Sequence, residues 1–322
     1  MPHVLIAGKL HPAGLRLLDA TPGITYTHVE EVSEASYQPH LADADAMVIR
    51  TQPLSAASVA MAPKLKIVSR HGVGYDAVDV AALNGRNIPL CIVGDVNSVS
   101  VAEHAMTFIL AAAKRLVQAD HAVRSGPWEW RNRLQAREIS GRRLLIIGYG
   151  RIGRHLARMA SGFRMEIRAH DPYLEARGWP EGEAQPASNL TEALAWADIV
   201  SVHAPKAGKP LLGAGEIALL KPDAILINTS RGGVIDEAAL VAALGEGRIA
   251  ALATDVFETE PPPPGDPLIV CEGAIFTPHI AGLTVEAAER MALSSVQNII
   301  DHFAGTLSPE LIVNKDSLHV EA

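Results

Sequence analysis

The stretch "LLIIGYGRIGRHLA", Leu144 to Ala157, constrains the fold more than any other part of the chain. An apolar run of strand type leads into Gly148, Gly150 and Gly153, spaced G-x-G-x-x-G. A helical pattern follows, with Ile152, Leu156 and Met159 on its apolar face. Each glycine has its own task in such a turn. Gly148 permits the tight bend, Gly150 lets the backbone approach a pyrophosphate, and Gly153 lets helix and strand pack closely. The helix N-terminus adds positive potential. The next strand pattern ends at Asp171, roughly 20 residues past the first glycine, where an acid meets a ribose. A carboxylate there accepts bonds from ribose hydroxyls and repels a 2′-phosphate. The cofactor expected is therefore NAD, with NADP disfavoured by Asp171.

The turn belongs to a series of strand patterns: "RRLLIIG", "MEIRAHD", "DIVSVHAP", "AILINTS", "IAALATDVF" and "AIFTPH". Helical stretches separate them, which predicts a six-stranded doubly wound sheet. Earlier, "HVLIAG", "AMVIR" and "LKIVSR" alternate with the helical "GLRLLDA" and "AALNGRN", so βα units precede it too. A long helix is expected from about Val99 to His121, and a loop over Arg124 to Leu134. Val285, Ala288, Ala292, Val296, Ile299 and Phe303 recur on one face of a late helix. Its natural use is to return the chain to the first domain. The fold class expected is α/β with two doubly wound parallel-sheet domains. Residues 99–285 form the cofactor domain, inserted into a first domain made of 1–98 and 286–322.

Composition narrows the function. With 48% hydrophobic and 20% charged residues among 322, the chain can bury sizeable cores. A net charge of -8 without a basic cluster argues against nucleic acid and anionic membranes as partners. Cys91 and Cys271 make neither a disulfide framework nor a metal-ligand spacing. No metal site is expected. "MPHVLIAGKLHPAG" lacks the basic leader of a secretory signal, and "AMTFILAAA" is too short to span a bilayer, so a cytoplasmic location is expected.

Three polar residues follow successive strand patterns: Arg231 in "INTSRGGVID", Glu260 in "DVFETEP" and His279 in "TPHIAG". The carboxyl ends of strands in an open α/β sheet face the ligand crevice, so the three can converge. Arginine suits bidentate binding of a carboxylate. Histidine exchanges protons near neutral pH, and a bonded glutamate favours its charged form. Taken singly, each residue can be a surface charge or a loop cap. Beside a dinucleotide site, they make a set fit for acid/base chemistry.

The motifs "HGVGYDAVDV", "NSVSVAEH", "GYGRIG", "HDP", "NTSRGGVIDEAAL", "DVFETEPP" and "TPHIAG" resemble, in order, those of the D-isomer-specific 2-hydroxyacid dehydrogenases. The resemblance covers roughly Arg70 to Arg290. It implies a Rossmann-type NAD domain inserted into a flavodoxin-like substrate domain, and a homodimer joined largely through the NAD domains. It further implies His279 as acid/base, Glu260 as its partner and Arg231 as the substrate-orienting arginine. The backbone of Val73 and Gly74 would hold the substrate carboxylate. Asp255 would bind the nicotinamide carboxamide, Thr229 and Ser230 would line the nicotinamide pocket, and His203 and Pro205 would lie beside the adenosine. The backbones of Arg151 and Ile152 would cradle the pyrophosphate. Ala207 stands near the family's usual threonine, a departure that puts one cofactor contact in doubt.

Within the family, "RHGVGYD" and "NSVSVAEH" are most similar to the phosphoglycerate dehydrogenase branch, in which Arg50 would face the substrate. Arg50 is equally readable as a solvated charge at a strand end. With the chain ending near 322, no regulatory serine-binding module is expected. Hydroxypyruvate/glyoxylate reductase is the nearest alternative, while Glu260 disfavours formate dehydrogenase, where a Gln is expected. A non-enzymatic, NAD-sensing corepressor would keep the same triad. His104 falls on an apolar helix that the resemblance puts at the dimer interface. His170 merely precedes Asp171. Trp128 and Trp130 serve either a partner's cleft or local packing.

Overall fold

In the computed structural model, which describes residues 1–319, the chain forms two units. One comprises Met1–Asn97 with the stretch from Leu283 on, and the other is Ser98–Gly282. The last three residues of the range expected for the first domain lie outside the described residues.

The first unit holds β1 (His3–Ala7), β2 (Thr25–Val29), β3 (Ala46–Ile49), β4 (Ile67–Arg70) and β5 (Leu90–Cys91), all parallel, in the order β2-β1-β3-β4-β5. This is the flavodoxin-like winding. β2 and β5 are additions to the sequence expectation. β2 is an edge strand whose Thr25, Thr27 and His28 stay at least partly exposed, and β5 has two residues, too few to show a period.

The late helix runs over Val285–Ala304, capped by the Thr284 side chain and by Gly305 at φ +73°. It lays Ala292, Val296 and Ile299 on Val4, Ile6, Val48 and Ile67 of the first sheet. Val285 is not on that face but exposed, and Ala287 and Met291 are buried instead. The 3.6-residue period had aligned Val285 with Ala288 and Ala292, whereas packing selects a stripe shifted around the helix. After it, buried Asn314 clips the chain to β5. Its side chain accepts from the Leu90 amide at 2.8 Å and donates to the Ile88 carbonyl at 3.0 Å and to Asn84 at 2.8 Å.

The second unit holds β6 (Arg143–Ile147), β7 (Glu166–His170), β8 (Gln185–Pro186), β9 (Ile199–Val202), β10 (Ile225–Asn228), β11 (Ala251–Thr254) and β12 (Ala274–Phe276). All are parallel, in the order β12-β11-β10-β9-β6-β7-β8. The chain enters at β6, winds outward to β8, then crosses to β9 and winds the other way. That reversal between β6 and β9 is the switch point at which such sheets open a ligand crevice. Seven strands replace the six expected, because two-residue β8 lengthens one edge.

Both faces of this sheet are covered. Leu144 and Ile146 pack with Ala105, Ile109 and Leu156, while Leu145 and Ile147 pack with Leu194, Ile217 and Leu240. Strands buried on both sides read as continuous apolar runs, which is why the sequence marked them clearly. The long helix expected from Val99 is instead two, Ser98–Lys114 and Leu116–Ser125, separated by Arg115 at φ +51°. No glycine or proline announces this break. It coincides with a tertiary bond from the Arg115 guanidinium to the Ala250 carbonyl at 3.0 Å. The segment expected as a loop contains a 3-10 turn, Trp128–Arg133.

Among the described residues, no helix is long and apolar enough to cross a membrane, and no group of His, Cys, Asp or Glu is arranged to hold a metal.

Replacing Asn314 with Leu strands the Leu90 amide and the Ile88 carbonyl in a buried place. Urea unfolding should show a loss of about 1–3 kcal/mol. An unchanged midpoint would mean the clip contributes nothing.

Candidate active site

The glycine turn follows β6 and opens the helix Arg151–Gly162. Gly148 sits at φ +92°, and a Cβ there would meet the His203 carbonyl oxygen at 2.7 Å. A Cβ on Gly153 would lie 2.4 Å from the Gly148 oxygen. Both positions are closed to other residues by neighbouring backbone. Gly150, the N-cap, differs: nothing stands within 4 Å of where its Cβ would be. The chain thus leaves an open backbone at the helix N-terminus beside Arg151 and Ile152. A cavity of about 750 Å³ adjoins it, lined by Gly150, Arg151, Arg154, Asp171 and Tyr173 among others. Exposed backbone amides at a helix N-terminus are a favourable place for an anionic group.

Asp171 ends the strand segment after β7 and holds the turn. One carboxylate oxygen accepts from the Tyr149 amide at 2.9 Å, and the other caps a short helix through the Tyr173 and Leu174 amides at 3.0 and 3.2 Å. Its position relative to Gly150 is therefore set by three backbone bonds.

His203 follows β9. Its ring contacts Ser201 at 2.9 Å and Thr229 at 3.4 Å, and burial pushes its pKa down to about 4. The ring is therefore neutral near pH 7 and turned toward the sheet, while Pro205 and Ala207 are exposed.

The three polar residues stand in loops after β10, β11 and β12, which are adjacent in the sheet. Arg231 follows buried Thr229 and Ser230. A residue without an evident sequence signal, Asn228, braces this turn. Its side-chain oxygen accepts from the Ser230 amide at 3.0 Å and hydroxyl at 2.7 Å, and its amide donates to the Arg231 carbonyl at 3.1 Å. Glu260 lies well beyond β11 rather than at its end, and the Glu260–Pro261 bond is cis. One Glu260 oxygen accepts from the Phe257 amide at 3.0 Å, and the other meets His279 Nδ1 at 2.7 Å. Burial alone would raise the Glu260 pKa. The bonds from His279 and Phe257, with the charge of Arg231, outweigh it and hold the carboxyl below its ordinary range.

His279 is fixed by its backbone as well. It adopts φ +53°, a left-handed conformation uncommon outside glycine, and its amide donates to the Asp255 carbonyl at 2.9 Å. The Asp255 side chain is only 1% exposed and accepts three bonds from the same loop. Thr277 hydroxyl and the Ile280 amide reach one oxygen at 2.5 and 2.8 Å, and the Ala281 amide reaches the other at 2.8 Å. With Nδ1 engaged by Glu260, Nε2 is the nitrogen left to meet a ligand. The His279 side chain remains 51% exposed.

Arg50, Val73 and Gly74 belong to the first unit, at the carboxyl ends of β3 and β4. Near them the structure adds residues that sequence reasoning passed over. Arg70 donates to the His71 carbonyl at 2.7 Å. The His71 ring is buried with neither nitrogen hydrogen-bonded, and burial, with the charges of Arg50 and Arg70, pushes its pKa down to about 4. His104 lies on the helix Ser98–Lys114, as expected. Its ring turns inward, 3.0 Å from the Thr277 hydroxyl.

Comparison with known proteins identifies the family. Residues 106–281 match the family model of the D-isomer specific 2-hydroxyacid dehydrogenase, NAD binding domain. A D-3-phosphoglycerate dehydrogenase of Archaeoglobus fulgidus is 36% identical over 81% of this chain, which spans only about half (50%) of that relative's length. A glyoxylate reductase of Korarchaeum cryptofilum is 38% identical over 84% of this chain and 83% of its own. Among solved structures, an NADPH-dependent glyoxylate/hydroxypyruvate reductase from Sinorhizobium meliloti superposes with a TM-score of 0.85 at 29% identity, covering 98% of each chain. The chain belongs to the D-isomer specific 2-hydroxyacid dehydrogenase family, and its second unit contains the NAD-binding domain.

The open backbone at Gly150 gives a separable test. Gly150→Ala should fold, losing at most about 1 kcal/mol as a poorer N-cap, because the added methyl meets no atom of the protein. It should weaken NADH binding about ten-fold or more by fluorescence titration if the pyrophosphate passes over this glycine, as the glycine motif leads one to expect. Equal affinity in the variant would place the dinucleotide elsewhere.

Proposed function

We propose that the protein is an NAD-dependent oxidoreductase that interconverts a small 2-oxo acid and its D-2-hydroxy acid. The observation that carries this reading is the 2.7 Å contact between His279 Nδ1 and Glu260, with Nε2 left available and the charge of Arg231 acting on the same glutamate. A bound nicotinamide supplies the hydride or takes it back. The protein's residues do the rest. Arg231 grips the substrate carboxylate with its planar guanidinium. During reduction His279 gives its Nε2 proton to the carbonyl oxygen, and the Glu260 charge steadies the ring while it is protonated. Arg231 also offsets the negative charge that develops on that oxygen. In oxidation the neutral ring takes the proton.

NAD is the preferred cofactor in this reading. The Asp171 carboxylate borders the cavity beside the glycine turn, where a 2′-phosphate would meet its charge. The Sinorhizobium reductase uses NADPH, so the preference belongs to this chain's own residues. The residues proposed to hold the dinucleotide are Gly148, Gly150, Arg151, Ile152, Gly153 and Asp171, with His203, Pro205, Thr229, Ser230 and Asp255. For substrate, Arg50 supports an acid with a further anionic group, of which 3-phosphohydroxypyruvate is the type; the glyoxylate reductase relatives support hydroxypyruvate or glyoxylate. A homodimer through the NAD domain is part of the proposal. Exposed Leu116, Val117, Val123, Trp128 and Leu134 supply an apolar surface for it. A cytoplasmic location is proposed on the two free cysteines.

The test is NADH and NADPH oxidation against 3-phosphohydroxypyruvate, hydroxypyruvate and glyoxylate. Turnover with at least one acid, faster with NADH, is expected. His279→Ala should abolish that turnover and leave NADH affinity within about two-fold, as expected when only a transition-state interaction is removed. Binding without turnover of any acid in the wild type would support a dinucleotide-sensing role instead.

A further inference from the structure

His104 stands on the helix Ser98–Lys114, far in sequence from the loop after β12, yet its ring is turned to that loop. Phe108, one turn on, meets the imidazole edge to face, with centroids 4.5 Å apart and planes at 73°. The ring is thereby fixed in direction, with its side chain only 18% exposed. Nε2 lies 3.0 Å from the Thr277 hydroxyl and 3.9 Å from the Asp255 carboxylate.

The direction of each hydrogen bond follows from chemistry. Both Asp255 oxygens accept from backbone amides, and the 2.5 Å bond that Thr277 donates to one of them consumes the single hydroxyl hydrogen. Thr277 Oγ1 can then only accept from His104, and Nε2 must carry a hydrogen. Burial lowers the pKa of this imidazole, and the opposing pull of Asp255 does not overcome it. The neutral ring with hydrogen on Nε2 satisfies both conditions.

We propose that His104 is a positioning residue: its Nε2–H orients the Thr277 hydroxyl onto Asp255 and so holds the loop that presents His279. The loop is bracketed at both ends by the same carboxylate, through Thr277 on one side and the Ile280 and Ala281 amides on the other. Between them His279 keeps its left-handed backbone, its amide bonded to the Asp255 and Thr277 carbonyls. A residue in that conformation stays there only if its surroundings over-determine it. Without the His104 donor, the hydroxyl can rotate away from Asp255, and the start of the loop loses its tie. The ring of His279 then leaves Glu260 or samples other directions.

The inference rests on the reading of His279 as acid/base, and the experiment separates the two. kcat and KM are measured with NADH and the most active of 3-phosphohydroxypyruvate, hydroxypyruvate and glyoxylate. The proteins are wild type, His104→Leu, His104→Gln, Thr277→Val, the double variant His104→Leu/Thr277→Val, and His279→Ala. Leu keeps the packing on Phe108 but removes the donor, and Gln restores a donor near the place of Nε2. His104→Leu should lower kcat about five- to ten-fold, the effect of one hydrogen bond acting on the transition state. NADH affinity should hardly change. His104→Gln should recover most of the loss, and the double variant should be no slower than Thr277→Val, because both act through one bond.

Wild-type kcat in His104→Leu, or additive losses in the double variant, would overturn the assignment. So would a loss that Gln does not rescue. If His279→Ala is inactive while His104→Leu is normal, only the role of His104 falls. If His279→Ala itself turns over normally, the acid/base reading falls first.

Discussion

The candidate site depends on one buried carboxylate. Asp255 is taken almost wholly out of water, a costly place for a charge unless hydrogen bonds replace its hydration. The replacements all come from Thr277, Ile280 and Ala281, so satisfying the charge and shaping the loop are the same event. His279 is carried in the middle of that loop at φ +53°. Its direction follows from how Asp255 is solvated by protein. The neighbouring strand order completes the arrangement: β10, β11 and β12 lie side by side and release Arg231, Glu260 and His279 from one end of the sheet.

The opposite arm of the same sheet is organised by a second carboxylate used in the same manner. Asp171 spends its oxygens on the Tyr149, Tyr173 and Leu174 amides, and thereby joins the glycine turn to the helix that follows β7. Gly148 and Gly153 are closed by neighbouring backbone, while Gly150 alone is open. Two acids therefore serve first as backbone braces. The double winding of the sheet matters too, since only a reversal between β6 and β9 opens a crevice between the two arms.

Much of this was legible in the sequence where the chemistry is local. The apolar runs "RLLII" and "AILIN" mark strands buried on both faces, and the glycine spacing with Asp171 marks a phosphate turn without any knowledge of tertiary contacts. The contact of Glu260 with His279 was open to inference from strand order. What was illegible depends on partners far along the chain. The helix break at Arg115 has no local breaker and goes with a bond to Ala250. Asn228 looks like an ordinary strand end until its bonds to Ser230 and Arg231 are seen. His104 reads as an apolar-helix histidine because Thr277, its partner, lies 173 positions away. β2, β5 and β8 were missed for a different reason, since edge position or two-residue length leaves no periodic signal.

The central claim is that the charge of Glu260 governs the proton on His279 during reduction. Its most direct measurement is the pH dependence of single-turnover 2-oxo acid reduction by wild type and Glu260→Gln, both saturated with NADH. Glutamine keeps an acceptor for the ring but removes the negative charge 2.7 Å away, so the protonated imidazole loses its stabilisation. Reduction needs that proton, and the alkaline limb of the profile should therefore move to lower pH in the variant. An alkaline limb at the same pH in both proteins would contradict the account.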